Sequence, residues 1–208
     1  MKKTIALLLA LLLCVLSVSA MAEEKQVYTH PTKGYSITVP AQWLCVDISN
    51  IQQYITAYQN GEMTFTGTNA ETLSNLLMQI QSQDCAILID SSSNNVTITD
   101  VDMGIALDHK TFAALMIPQF KSQLSAQFPS MEFTCEGEIL TFVDNTFVML
   151  SGIYSMSNIP IEMTQLYYID DTSLYVITTT AILLYDQALL QAFYEDAFAA
   201  CSTLTIAE

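Results

Sequence analysis

Four consecutive stretches in the second half of the chain alternate apolar and polar residues: "MEFTCEGEILTFV", "TFVMLSGIYSM", "IEMTQLYYI" and "LYVITTTAI". A period of two belongs to strands, and only a few residues such as "DDTS" separate one stretch from the next. Connections this short join antiparallel neighbours, because a parallel return needs a dozen or more residues. An antiparallel meander is therefore expected, with a break at Gly137 in its first strand.

Around the meander, period-two and period-3.6 segments alternate. "QVYTH" and "YSITV" flank the turn-rich "PTKG" and read as a hairpin, with Tyr35, Ile37 and Val39 on one face and Pro40 ending the ladder. Asp47 or Ser49 is placed to cap a short helix carrying Ile51, Tyr54, Ile55 and Tyr58. Thr68 and Glu71 have capping-box spacing ahead of a helix striped by Leu73, Leu76, Leu77 and Ile80. "CAILID" and "VTITDVDM" read as a strand pair turned by "SSSNN". Asp108 caps a helix presenting Phe112, Leu115, Met116, Phe120 and Leu124, with Pro118 kinking it or starting a second segment. A last helix begins at Asp186 and turns Leu189, Leu190, Phe193, Ala197 and Cys201 inward, and "STLTI" closes as a short strand or tail. The order is α+β: a mainly antiparallel sheet with helices packed against it, as a single domain over 21–208.

Residues 1–20 are set apart from that domain. "MKK" followed by "TIALLLALLLCVLSVSA" has the charged start, apolar middle and small-residue end of a secretory signal peptide, with cleavage after Ala20 or Ala22. A retained N-terminal anchor is the competing reading. The bulky Leu13 before Cys14 argues against lipid attachment. The expected location is secreted or cell-envelope associated.

Export sharpens the charge balance. The whole chain has 6 Lys+Arg against 21 Asp+Glu, net −15. Lys2 and Lys3 leave with the leader and no acidic residue does, so the mature chain carries −17 and contains no arginine. Such a surface repels phosphate backbones and anionic lipid heads, which excludes nucleic acid and anionic membrane as partners. It suits solubility or cationic partners.

Cys45, Cys85, Cys135 and Cys201 remain after the leader. In an exported protein they are disulfide candidates, with Cys45–Cys201 and Cys85–Cys135 one of three possible pairings. Four buried free thiols is the alternative. No CxxC motif is present, and spacings of 40, 50 and 66 residues do not suit a zinc site.

The opening "YTHPTKGYSITVPAQW", the mid-chain "HKTFAALMIPQFKSQLSAQFP" leading into the meander, and the ending "LYVITTTAILLYDQALLQAFYEDAFAACSTLTI" together resemble the Mog1/PsbP-like superfamily, including exported bacterial proteins of the PsbP-related and DUF1795 type. The resemblance implies an antiparallel sheet with packed helices and an accessory, adaptor or binding role rather than catalysis. The four cysteines and the helical matter between 48 and 82 depart from it. No residue here matches the metal-binding or GTPase-binding positions of other members.

Chemistry is sparse. His30 sits in the hairpin turn and His109 at a helix start, neither in a motif, and no nucleophile elbow, zinc-protease, dinucleotide or phosphate-loop motif occurs. No catalytic residue, metal ligand or cofactor is expected. "DVDMG" from Asp100 begins like a calcium loop but has Thr111 where the twelfth-position glutamate belongs. Glu136 and Glu138 flank Gly137 with strand alternation and are expected on one solvent face. Trp43 reads as a core residue, with ligand contact the alternative. Tyr154, Tyr167, Tyr168 and Tyr175 either straddle core and rim or offer a surface to a ligand. The function expected is binding of a protein or small ligand. The alternatives are a hydrolase or metal-dependent enzyme built from scattered residues, and a calcium-stabilised module.

Overall fold

The computed structural model describes residues 24–60, 78–92, 94–156, 158–184 and 186–207. The leader and the first half of the capping-box helix, with Thr68, Glu71, Leu73, Leu76 and Leu77, lie outside them.

The meander forms as the alternation requires. Strands β6 (Glu132–Phe142), β7 (Asn145–Met156), β8 (Ile159–Asp170) and β9 (Ser173–Ile182) pair antiparallel in chain order. β9 then takes β5 (Asn95–Asp102) as its outer neighbour, and β4 (Ala86–Ile89) and β3 (Leu44–Val46) follow. The result is a seven-stranded antiparallel sheet in the order β3-β4-β5-β9-β8-β7-β6. The first hairpin, β1 (Lys25–Thr29) and β2 (Tyr35–Pro40), does not join it. β2 pairs instead with β10 (Thr205–Ile206) in a separate three-stranded sheet.

Successive residues of a strand point to opposite faces, so each long strand feeds two cores. On one face lie α4 (Gln187–Cys201) and the small sheet. There Tyr35, Ile37, Val39 and Trp43 pack with Val96, Ile98, Phe147, Leu166, Ile177, Phe193 and Ala197. On the opposite face α2 (His109–Leu115) and α3 (Ile117–Gln127) bury Phe112, Ile117 and Leu124 against Val148, Leu150, Tyr154 and Tyr167. At the far end of that same face, α1 (Ile51–Gln59) and helical residues 78–83 supply Ile51 and Ile80 to Ile87 and Ile89. A sheet buried on both sides explains the nearly continuous apolar run of β4.

Pro118 acts as a helix starter rather than a kink. α2 stops at Leu115, Met116 bridges, and the proline sits in the first turn of α3, where its missing N–H costs nothing. The inward stripe runs Phe112, Met116, Phe120 and Leu124 at intervals of four, and Leu115, expected on it, falls to its side and is 57 % exposed. Leu189 corrects a second expectation: it is exposed, while Leu190, Phe193, Ala197 and Cys201 face inward as expected. Asp108 caps α2 by accepting from the Lys110 and Thr111 N–H groups, and Asp186 caps α4 through Ala188 N–H.

Gly137 marks a β-bulge, not an end to the strand. Its φ of +95° suits only glycine, and the register of β6 on β7 slips between Glu136 and Glu138. The slip sends the two glutamates to opposite faces, correcting the expectation that they share one. Glu136 Oε1 takes the Lys121 ammonium of α3 at 2.6 Å, whereas Glu138 turns to the α4 face.

The four cysteines among the described residues, Cys45, Cys85, Cys135 and Cys201, are free thiols. The suggested Cys85–Cys135 pair is out of reach, because β4 and β6 are five strand positions apart in the sheet order, roughly 24 Å at normal strand spacing. A disulfide needs its Cα atoms within about 7 Å. Cys45 and Cys201 both contribute to the α4-side core yet remain unbonded. Burial pushes the Cys201 thiol up to about 12 and the Cys45 and Cys85 thiols up to about 11.

Candidate functional site

α4 does not cover its face of the sheet completely. Beside it, over β6, β7 and β8, an open groove of about 450 Å³ is lined by Thr134, Cys135, Glu138, Met149, Ser151, Glu162, Thr164, Tyr194 and Phe198. Four elements build it, each for a local reason.

The wall comes from α4. Tyr194 and Phe198 are four residues apart and so lie one turn above the other on one helix face. Their rings stack at 6.1 Å, and Phe198 stacks in turn on Phe142 at the end of β6. The floor comes from β7 and β8. Ser151 and Thr164 are directly opposed in the register and their hydroxyls hydrogen-bond at 2.8 Å, with Ser151 also donating to the Met163 carbonyl. These two buried hydroxyls are therefore consumed in holding the floor.

The rim is acidic. The Tyr194 hydroxyl donates to Glu162 Oε2 at 2.6 Å, and burial together with that carboxylate raises the phenol well above its ordinary range. Glu138, delivered to this face by the bulge, stands across the groove with its carboxylate 3.9 Å from the Cys135 sulfur. Two carboxylates thus flank a half-apolar trough of two aromatic rings and a methionine.

The polar groups of the groove are engaged mainly with one another and with the backbone. No histidine lines the groove, the Ser151 hydroxyl has no base beside it, and Cys135 contacts only Glu138 and the Met149 carbonyl. Among the described residues no three His, Cys, Asp or Glu side chains converge as metal ligands. Asp100 and Asp102 of the calcium-like stretch are separately engaged: Asp100 pairs with Lys33 at 3.1 Å, and Asp102 accepts from the Gly104 N–H.

The tyrosines singled out from the sequence do not form one surface. Tyr154 and Tyr167 face α2 and α3, while Tyr168 and Tyr175 face the α4-side core. Tyr154, Tyr167 and Tyr175 are buried and Tyr168 partly so, because strand parity divides them between two covered faces. Trp43 is a core residue at 4 % exposure. Of the earlier candidates only Cys135 reaches the groove. Tyr194 and Phe198 have a signal in the sequence, their i, i+4 spacing on one face of an amphipathic helix, whereas Glu162 on β8 has none.

A second polar cluster lies beneath the β1–β2 turn. Asp47 is buried, and its carboxylate accepts from Tyr28 Oη–H at 2.8 Å and from the Ser49 hydroxyl and N–H at 2.6 and 2.7 Å. Burial opposes its charge, but these donors outweigh burial and hold the carboxyl below the usual range.

No family profile and no curated protein matches this chain. Solved structures do. The solution structure of cyanobacterial PsbP (CyanoP) from Synechocystis sp. PCC 6803 aligns with a TM-score of 0.53 at 10% identity, over 90% of this chain and 95% of that one. A Bacteroides thetaiotaomicron VPI-5482 crystal structure aligns at 0.48 with 8% identity, over 90% of this chain and 50% of that one. LpqN, involved in cell envelope biogenesis of Mycobacterium tuberculosis, aligns at 0.45 with 12% identity, over 89% and 91%. The chain has a Mog1/PsbP-like fold.

Proposed function

We propose that this chain is an exported, non-enzymatic accessory protein that binds a ligand or partner segment in the groove beside α4. The observation that carries the reading is the pairing of Glu138 and Glu162 across an aromatic trough in a molecule otherwise buried on both sheet faces. Such a trough complements a cationic group on an apolar stem, because the rings and Met149 take the stem while the carboxylates take the charge. The apolar leader supports export, and the strongly acidic surface supports a cationic partner over an anionic one.

The test is a titration of the isotopically labelled mature chain with acetyl-lysine amide, acetyl-norleucine amide and acetyl-glutamate amide, followed by amide chemical shifts. The lysine compound should shift residues of β6, β7, β8 and α4 around the groove. Its effect should vanish in the Glu138→Gln, Glu162→Gln double variant. Equal shifts from all three compounds, or shifts confined to another face, would refute the reading.

A further inference from the structure

Under the β1–β2 turn, His30 is 2 % exposed and is bound in only one sense. The Thr32 and Lys33 N–H groups both point at its Nδ1, each at 3.3 Å, and the Thr32 hydroxyl lies at the same distance. A nitrogen that receives two backbone donors must offer its lone pair, so the ring is neutral with its proton on Nε2. That Nε2–H has no partner.

The surroundings are charged on every side. Tyr28 of β1 and Tyr35 of β2 flank the ring, at 6.3 and 5.1 Å between centroids. Asp47 faces it from the loop before α1, Asp84 from the residue leading into β4, Asp100 from β5, and Lys33 from the turn itself. The turn is fastened to the main sheet by these same groups. Lys33 Nζ stands 3.1 Å from Asp100 Oδ1 and 3.9 Å from Asp84 Oδ2, and the Thr32 hydroxyl donates to Asp84 at 2.8 Å.

We propose that His30 is an acid-sensitive latch, whose protonation at Nδ1 opens the 31–34 turn and hands Asp84 and Asp100 from Lys33 to the imidazolium. A proton taken from solvent onto Nδ1 turns the acceptor into a donor facing two N–H donors, and both turn bonds are lost together. The imidazolium faces the Asp47, Asp84 and Asp100 carboxylates and competes with Lys33 for the oxygens of the last two. Desolvation by burial lowers the ring's proton affinity below the ordinary histidine value, so the latch is closed at neutral pH and opens only on the acid side of the ordinary histidine range. The inference is independent of the groove.

The test is nuclear magnetic resonance of the mature chain between pH 8 and pH 4.5. At pH 8 the ring nitrogens of His30 should report the Nε2–H tautomer. As His30 titrates, the Thr32 and Lys33 amides should exchange at least tenfold faster relative to their intrinsic rates, with β7 and β8 amides unchanged. His30→Asn places a side-chain oxygen near the Nδ1 position and should keep the turn closed across the range. Asp84→Asn should move the His30 midpoint down. A ring protonated on Nδ1 at pH 8, turn amides that keep their protection through the titration, or the same opening in His30→Asn would each overturn the latch.

Discussion

Trp43 stacks on Phe193, ring centroids 5.6 Å apart and planes inclined by 19°. The contact joins the segment after β2 to the middle of α4, so one ring pair ties the small sheet's side of the molecule to the helix that walls the groove. Both rings are buried, at 4 % and 3 % exposure.

Removing that ring should therefore loosen the α4-side core as a whole. Trp43→Ala is expected to cost about 3–5 kcal/mol, the usual range for emptying a large aromatic site. Urea denaturation followed by circular dichroism measures it. As the chain's single tryptophan, Trp43 should emit at short wavelength when folded and shift to the red on unfolding. Emission already at the solvent-exposed wavelength in the folded protein would refute this packing.

Asp47 makes stability depend on acid pH in a known direction. Its folded carboxyl lies below its unfolded value, because the Ser49 and Tyr28 donors outweigh burial. The unfolded chain therefore binds the proton first. The contribution is complete above the unfolded carboxylate value of about 3.9 and disappears as pH falls through the lower folded value. Asp47→Ala leaves the Tyr28 hydroxyl without its partner and should cost about 2–3 kcal/mol at pH 7. In urea melts the gap between variant and wild type should shrink as pH falls below about 4; a constant gap would contradict the assignment.

The sequence reveals the meander most clearly, and physics explains why. Four alternating stretches with short turns leave one pairing order, so β6 to β9 could be read without coordinates. The placement of β5 beside β9 could not, since no short connection links them. Nor could the separation of the first hairpin into its own sheet, which depends on two residues at the C-terminus reaching β2. The stripe residues Leu115 and Leu189 misled for different reasons. The first lies beside a stripe that advances by four, from Phe112 through Met116 and Phe120 to Leu124. The second lies in the first turn of α4, where Leu190 rather than Leu189 takes the inward position. The groove was the least legible part. It exists because a bulge reverses Glu138 and because α4 stops covering β6, and alternation alone predicts neither.

The free thiols give a chemical check. Denatured mature protein should take up four equivalents of a thiol reagent, with no mass change on reduction. In the native state Cys135 should react first, because it is the cysteine that opens onto the groove, while Cys201 is wholly enclosed and burial raises Cys45 and Cys85. Fast native labelling of Cys201, or a two-unit mass gain on reduction, would contradict the structure.

Gly137 couples backbone geometry to the groove, and its replacement should show both effects at once. An added Cβ would meet Ile117 and Ala113 at 3.6–3.7 Å, which is ordinary contact, so space is not the obstacle. The cost is the φ of +95°, which a residue with a side chain adopts only at about 1–2 kcal/mol. The strand can relieve that strain by giving up the bulge, and regular alternation would then return Glu138 to the face that carries Glu136 and Lys121. Gly137→Ala should therefore lose 1–2 kcal/mol, to order of magnitude, and should weaken acetyl-lysine amide binding at the groove. Glu136→Gln removes only the exposed Lys121 pair, so it should change stability by less than about 1 kcal/mol and leave groove binding as it was. Urea melts and the amide-shift titration on the two variants separate these outcomes. Unchanged binding in Gly137→Ala, with the stability loss present, would mean that Glu138 does not owe its position to the bulge.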